Sequence, residues 1–100
     1  MHARATIAHY HPGTQDEATA ILRDIMLPQA REQQGFKGAL ILNDVIMNKA
    51  IIITLWETEA DLEASQPPAE IMDAIERLGQ LLTDQTTQGV YNVVAQLQAG

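Results

Sequence analysis

Residues 7 to 13, IAHYHPG, place two of the chain's three histidines, His9 and His11, on either side of Tyr10. Side chains alternate along an extended strand, so both imidazoles would leave one face, about 7 Å apart. Imidazole titrates near neutral pH and ligates metals, so such a pair could move protons or hold a cation. A metal site needs three or four ligands. The remaining histidine, His2, lies at the far end of the same segment, and the chain has no cysteine, so no metal is expected. His9 is a candidate general base and Tyr10 a candidate catalytic hydroxyl. The alternative is that both histidines sit on the wet rim of a sheet. Tyr91 and the single tryptophan, Trp56, are the other aromatic groups with a polar tip. A buried tyrosine hydroxyl needs a hydrogen-bond partner, either backbone or, in a pocket, a phenolic ligand.

Other groups offer less. Asp61, Glu63, Glu70, Asp73 and Glu76 are spaced as the solvated face of a helical region. All histidines lie near the N-terminus, which leaves no Ser/His/Asp set. GFKG at 35 to 38 lacks the context of a phosphate loop; a helix stop and close strand packing account for its glycines. A formal net charge of −7 with six Lys and Arg argues against a nucleic-acid partner. No apolar run approaches the roughly 20 residues of a membrane span, and no signal peptide is expected at the N-terminus. The lack of cysteine fits a reducing compartment, so a cytoplasmic location is expected. One hundred residues, 46% of them hydrophobic, read as a single domain over 1–100.

The elements that must position these side chains read as β-α-β-β-α-β. A strand over 3–11 ends at Pro12-Gly13. Thr14 and Glu17 form a capping-box pattern that opens a helix, which Pro28 should distort near 24–27 and Gly35 should end. Strands follow over 36–42 and 50–57, joined by turn formers. Thr58 caps a short helix that Pro67 and Pro68 break. Ile71, Ala74, Ile75, Leu78, Leu81 and Leu82 then mark one face of a second helical segment. Gly89 should end that region, and 90–97 reads as the last strand. This order is that of a ferredoxin-like α+β fold, a four-stranded antiparallel sheet with both helices on one face.

Such a sheet leaves one face uncovered. Here both faces of the central hairpin are apolar: Ile51, Ile53 and Leu55 oppose Ile52 and Trp56, and Leu40 and Leu42 oppose Ala39 and Ile41. At about 25 cal/mol per Å², leaving several large aliphatics wet would forfeit stability comparable to that of a small domain. A homodimer packed sheet to sheet is therefore expected.

Three segments, HPGTQDEA (11–18), LPQAREQQGFKGALIL (27–42) and ITLWETEADLEAS (53–65), resemble the antibiotic biosynthesis monooxygenase (ABM) superfamily of dimeric α+β barrels. The shared pattern is the Pro-Gly turn after strand one, the Gly35-Phe36 opening of strand two, and the Trp56-Glu57 end of strand three. The resemblance implies a cofactor-independent oxygenase that oxidises quinol- or anthrone-like aromatics, or a relative that kept the fold as a non-catalytic binding or assembly module. It implies no cofactor and a pocket between sheet and helices, walled here by Trp56 with Tyr10, Tyr91 and Ser65. Ser65 stands nine residues after Trp56, where many quinol-oxidising members carry histidine. Haem-degrading members use a histidine in the second helical region. No histidine follows His11 in this chain, so haem degradation is not expected.

Overall fold

The computed structural model describes residues 1–84 and 86–99. Its elements are β1 (His2–His9), α1 (Gln15–Ile21), α2 (Leu27–Arg31), β2 (Phe36–Asp44), β3 (Lys49–Trp56), α3 (Glu59–Ala64), α4 (Met72–Leu81) and β4 (Thr87–Asn92). A π-helical turn, Leu22–Met26, joins α1 to α2, and a 3-10 turn, Ala69–Ile71, leads into α4. The sheet order is β2-β3-β1-β4, with every neighbouring pair antiparallel. This is the ferredoxin-like α+β arrangement, with the helices on one face.

The distortion expected at Pro28 takes a definite form. Proline has no N–H to give the carbonyl four residues back, and its ring crowds that carbonyl. The helix widens just before it, and the Leu27 N–H bonds to Leu22 O, five residues back. At the other end, Gly35 has φ of 82°, and a Cβ there would run into the Asp61 side chain. Its carbonyl accepts from Glu57 N at 2.7 Å, tying the start of β2 to the end of β3.

A bulge between Phe36 and Gly38 shifts the register, so that Phe36 faces Trp56 while Gly38 faces Leu55. The two rings meet edge to face, with centroids 5.6 Å apart. Gly38 has only ordinary van der Waals contact around it, so it belongs to the bulge and not to close strand packing.

The two caps came out differently. Thr58 Oγ1 accepts from Asp61 N at 3.0 Å, the expected N-cap of α3. Thr14 makes no such bond with α1. Its hydroxyl lies 2.7 Å from His11 O and 3.0 Å from Leu81 O and donates towards these carbonyls. A backbone carbonyl from the end of α4 outcompetes the local cap. Glu17 instead pairs with Arg77 of α4.

The last strand is displaced from the expected 90–97 to Thr87–Asn92. Gly89 is therefore inside β4, opposite Ala5, and does not end a helical region. The Tyr91 ring lies against Gly89, where a side chain would collide with it.

Strand alternation sorts the sheet into two faces. Arg4, Thr6, Ala8, Ile41, Ile52, Thr54 and Trp56 look towards the helices. Ala3, Ala5, Ile7, Leu40, Leu42, Ile51, Ile53, Leu55 and Tyr91 look the other way. That outer face is apolar and open: Leu40 is 56% exposed, Leu42 46% and Tyr91 59%.

Candidate functional site

The space between sheet and helices has a packed end and an open end. At the packed end Tyr10 is buried among Ala18, Ile21, Leu22, Ala50, Leu78 and Leu81. Its hydroxyl donates to Asn43 Oδ1 at 3.0 Å, and Asn43 Nδ2 donates to Thr19 Oγ1 at 2.9 Å. Burial pushes the Tyr10 phenol above its ordinary pKa, and hydrogen bonding with Thr19 offsets part of that rise. These side chains satisfy one another, and Tyr10 is 2% exposed.

At the open end lies a cavity of about 280 Å³. Its floor is the helix-facing side of β1 and β3: Arg4, Thr6, Ala8, Ile52, Thr54 and Trp56. The widened turn before Pro28 supplies Leu22 and Met26, and α2 supplies Gln29 and Ala30. Ser65, Gln66 and Pro67, from the break after α3, form one rim. Gln33 closes over that rim by bonding Gln66 twice: its Nε2 donates to Gln66 O at 2.8 Å, and its Oε1 accepts from Gln66 N at 3.1 Å.

Trp56 is 2% exposed, so it is both a core residue and a cavity wall. The indole Nε1 donates to Thr54 Oγ1 at 3.0 Å, and the Phe36 ring holds its edge. Two of the polar lining residues meet at Leu62 O. That carbonyl accepts from Arg4 Nη2 at 3.0 Å, from Ser65 Oγ at 2.6 Å and from Ser65 N at 3.2 Å. Arg4 and Ser65 therefore meet at one carbonyl of a chamber whose other lining residues are aliphatic side chains, Trp56, and several threonines and glutamines.

Of the residues expected at a site, the fold brings Trp56 and Ser65 to the cavity and sends the others elsewhere. Tyr10 fills the packed end, because it sits one strand pair beyond Ala8 where helices α1 and α4 close on the sheet. Tyr91 lies on the outer face, because its parity on β4 matches Ala3 of β1. His9 has the parity of Ile7 and pairs with Lys49, on the sheet face opposite the cavity. His11 lies beyond β1 and is exposed, so the two imidazoles do not share a strand face. Among the described residues, no group of three or more His, Cys, Asp or Glu side chains could hold a metal ion. No described lining residue is a carboxylate or an imidazole.

Arg4 is the residue that motif reasoning passed over. One signal was present: Arg4, Thr6, Ala8 and Tyr10 alternate along one face of β1, and a cation on a helix-facing strand position is unusual.

No family model matches the chain, and no curated protein matches it in sequence. Solved structures do match in fold. A Nitrosomonas europaea protein, provisionally described as an antibiotic biosynthesis monooxygenase, superposes with a TM-score of 0.81 over 95% of this chain and 100% of its own, at 12% identity. SnoaB, a cofactor-independent oxygenase from Streptomyces nogalater, gives 0.79 over 98% of this chain and 97% of its own, at 15% identity. A Streptomyces coelicolor monooxygenase from the gene ActVA-Orf6, in complex with nanaomycin D, gives 0.77 over 99% and 92%, at 14% identity. The chain thus has the ABM-like fold. Among the described residues, no helix is long and apolar enough to cross a membrane.

Proposed function

We propose that residues 1–100 act as one domain, a cofactor-independent monooxygenase-like protein that takes a small apolar aromatic of quinol or anthrone type. The observation that carries this reading is the apolar cavity walled by Trp56. Its volume, about 280 Å³, falls just below the roughly 300–1,000 Å³ of small-molecule sites. The oxygenase named among its fold neighbours supports the chemistry. Without a cofactor the substrate itself must supply the electrons. An anthrone methylene becomes a carbonyl as one oxygen atom of O₂ is inserted and the other leaves as water. The protein contributes orientation and the exclusion of water.

A second reading is favoured by one observation: no described lining residue is a carboxylate or an imidazole. A dimeric binding or assembly module with the same fold needs no such base. Oxygen consumption over a panel of hydroquinones and anthrones separates the two. Turnover above the buffer rate supports the oxygenase. Quenching of Trp56 fluorescence without turnover supports the binding module.

The functional unit in this proposal is a cytoplasmic homodimer formed through the outer sheet face. Its apolar rows on β2 and β3 are the surface that a twofold partner covers. Ile53 is the residue to test, since Ile52 faces the cavity. Ile53→Asp should yield a monomer by light scattering at micromolar concentration. A monomeric mass for the unaltered protein would sink the dimer.

A further inference from the structure

Arg4 is the one charged side chain among the described residues that line the cavity. It sits on the helix-facing side of β1, opposite Thr54 of β3. Its guanidinium is tethered through Nη2 to Leu62 O, beside the Ser65 hydroxyl bonded to the same carbonyl. Among the described residues no carboxylate pairs with it. The ion pairs of Arg23, Lys37 and Arg77 engage Asp24, Glu57 and Glu17 on the surface. A guanidinium carries five N–H donors and keeps its charge at any physiological pH. One neutral carbonyl uses little of that capacity. Arg4 is half-buried, and an anion placed beside it would take up its remaining donors in charge-assisted hydrogen bonds.

We propose that the Arg4 end of the cavity is an oxyanion subsite: the ligand is an apolar ring compound with an ionised oxygen, bound by Arg4 with the Ser65 hydroxyl alongside. This rests on the reading of the cavity as an aromatic-ligand site. It also accounts for a wall without a base, because the ligand enters already ionised and its proton stays with the solvent. The net charge of −7 does not forbid this. Exposed charges are screened beyond about 8–10 Å at physiological salt, whereas Arg4 acts in contact.

Trp56, the single tryptophan, lines the same cavity, so its fluorescence reports occupancy. Three probes are titrated at pH 7: 2-hydroxy-1,4-naphthoquinone, whose ring hydroxyl ionises; 2-naphthoate, a carboxylate; and 2-methyl-1,4-naphthoquinone, a neutral analogue of the first. At least one anion should bind about 10-fold or more tightly than the neutral quinone. Tighter binding of the hydroxyquinone assigns the oxyanion to the ring itself, and tighter binding of the naphthoate assigns it to a carboxylate substituent. Arg4→Met should erase the preference and leave the neutral quinone within about twofold, while Arg4→Lys should keep part of it.

A measurement on the unaltered protein guards against a variant that fails to fold. If the hydroxyquinone is the preferred anion, its visible anion band should persist on the protein to about one pH unit below its free midpoint. Equal binding of the neutral quinone and both anions overturns the subsite but leaves the aromatic cavity standing. An anion preference that survives in folded Arg4→Met also overturns it. If no probe quenches Trp56, both the subsite and the cavity reading fall.

Discussion

The two ends of the space between sheet and helices share Leu22 and Leu78 as walls and are packed differently. At the Tyr10 end, small side chains with no exposure, Ala18 and Ala50, let α1 and α4 approach the sheet, and aliphatic side chains fill what remains. Its polar groups form a closed chain from Tyr10 through Asn43 to Thr19. At the Trp56 end, the widened turn before Pro28 and the break at Pro67 and Pro68 hold the helices off the sheet, and Arg4 looks into the gap. The packed end pairs its neutral polar side chains with one another, whereas the open end presents a guanidinium with no carboxylate partner among the described residues.

Mutations can test this contrast, beginning with the largest effect. Leu81→Ala at the packed end should cost about 2–5 kcal/mol by urea unfolding, the range for a buried Leu→Ala change. Trp56 quenching by an aromatic ligand should be unaltered under native conditions. A loss well under that range would mean the packed end is not close-packed.

Adding volume should also split the two ends. Ala18→Leu has no space to enter and should cost about 1–3 kcal/mol. Met26→Phe grows into the cavity, so it should change stability by less than about 1.5 kcal/mol while abolishing ligand quenching. Similar losses of stability in both variants would erase the distinction.

Tyr10→Phe removes the donor to Asn43 and should cost about 1–2 kcal/mol. It also changes the alkaline limb of stability. The folded pKa of Tyr10 lies above its unfolded value. The linked stability is therefore complete below pH of about 10 and lost as pH rises through the folded pKa. Stability should fall more steeply above pH 10 in the unaltered protein than in the phenylalanine variant.

The smallest effect belongs to the exposed bridge between Glu17 and Arg77. The Arg77 guanidinium, chiefly by hydrogen bonding, holds the Glu17 carboxyl below its usual range. Its contribution is present above the ordinary glutamate pKa and disappears as pH falls through the lowered one. Glu17→Gln should leave the melting temperature at pH 7 nearly unchanged and should flatten the acid limb slightly. A large effect at neutral pH would mean that the bridge supports the packed end.

The order of elements was legible because it rests on local chemistry. The apolar run of β3, the Thr58 cap and the interruption at Pro28 each depend on neighbours within a few residues. The misread features depend on distant partners. Thr14 turns from its own helix to Leu81 O. Gly89 looks like a terminator until β4 is paired with β1 and the Tyr91 ring is seen against it. Trp56 and Ser65, expected as pocket walls, do line the cavity. Tyr91 and Tyr10 could be separated from them only once parity and helix placement were known. Arg4 reads as an ordinary surface cation until its strand face is assigned.

The sequence alone determined the β-α-β-β-α-β order and the apolar character of both faces of the central hairpin, because periodicity, caps and breakers act over short distances. Tertiary structure decided which end of the sheet the helices close upon, that the histidines lie away from the cavity, and that an arginine without a counter-charge among the described residues lies inside it. Those outcomes depend on register and on contacts between residues far apart in the chain, where a shift of one position moves a side chain to the other face.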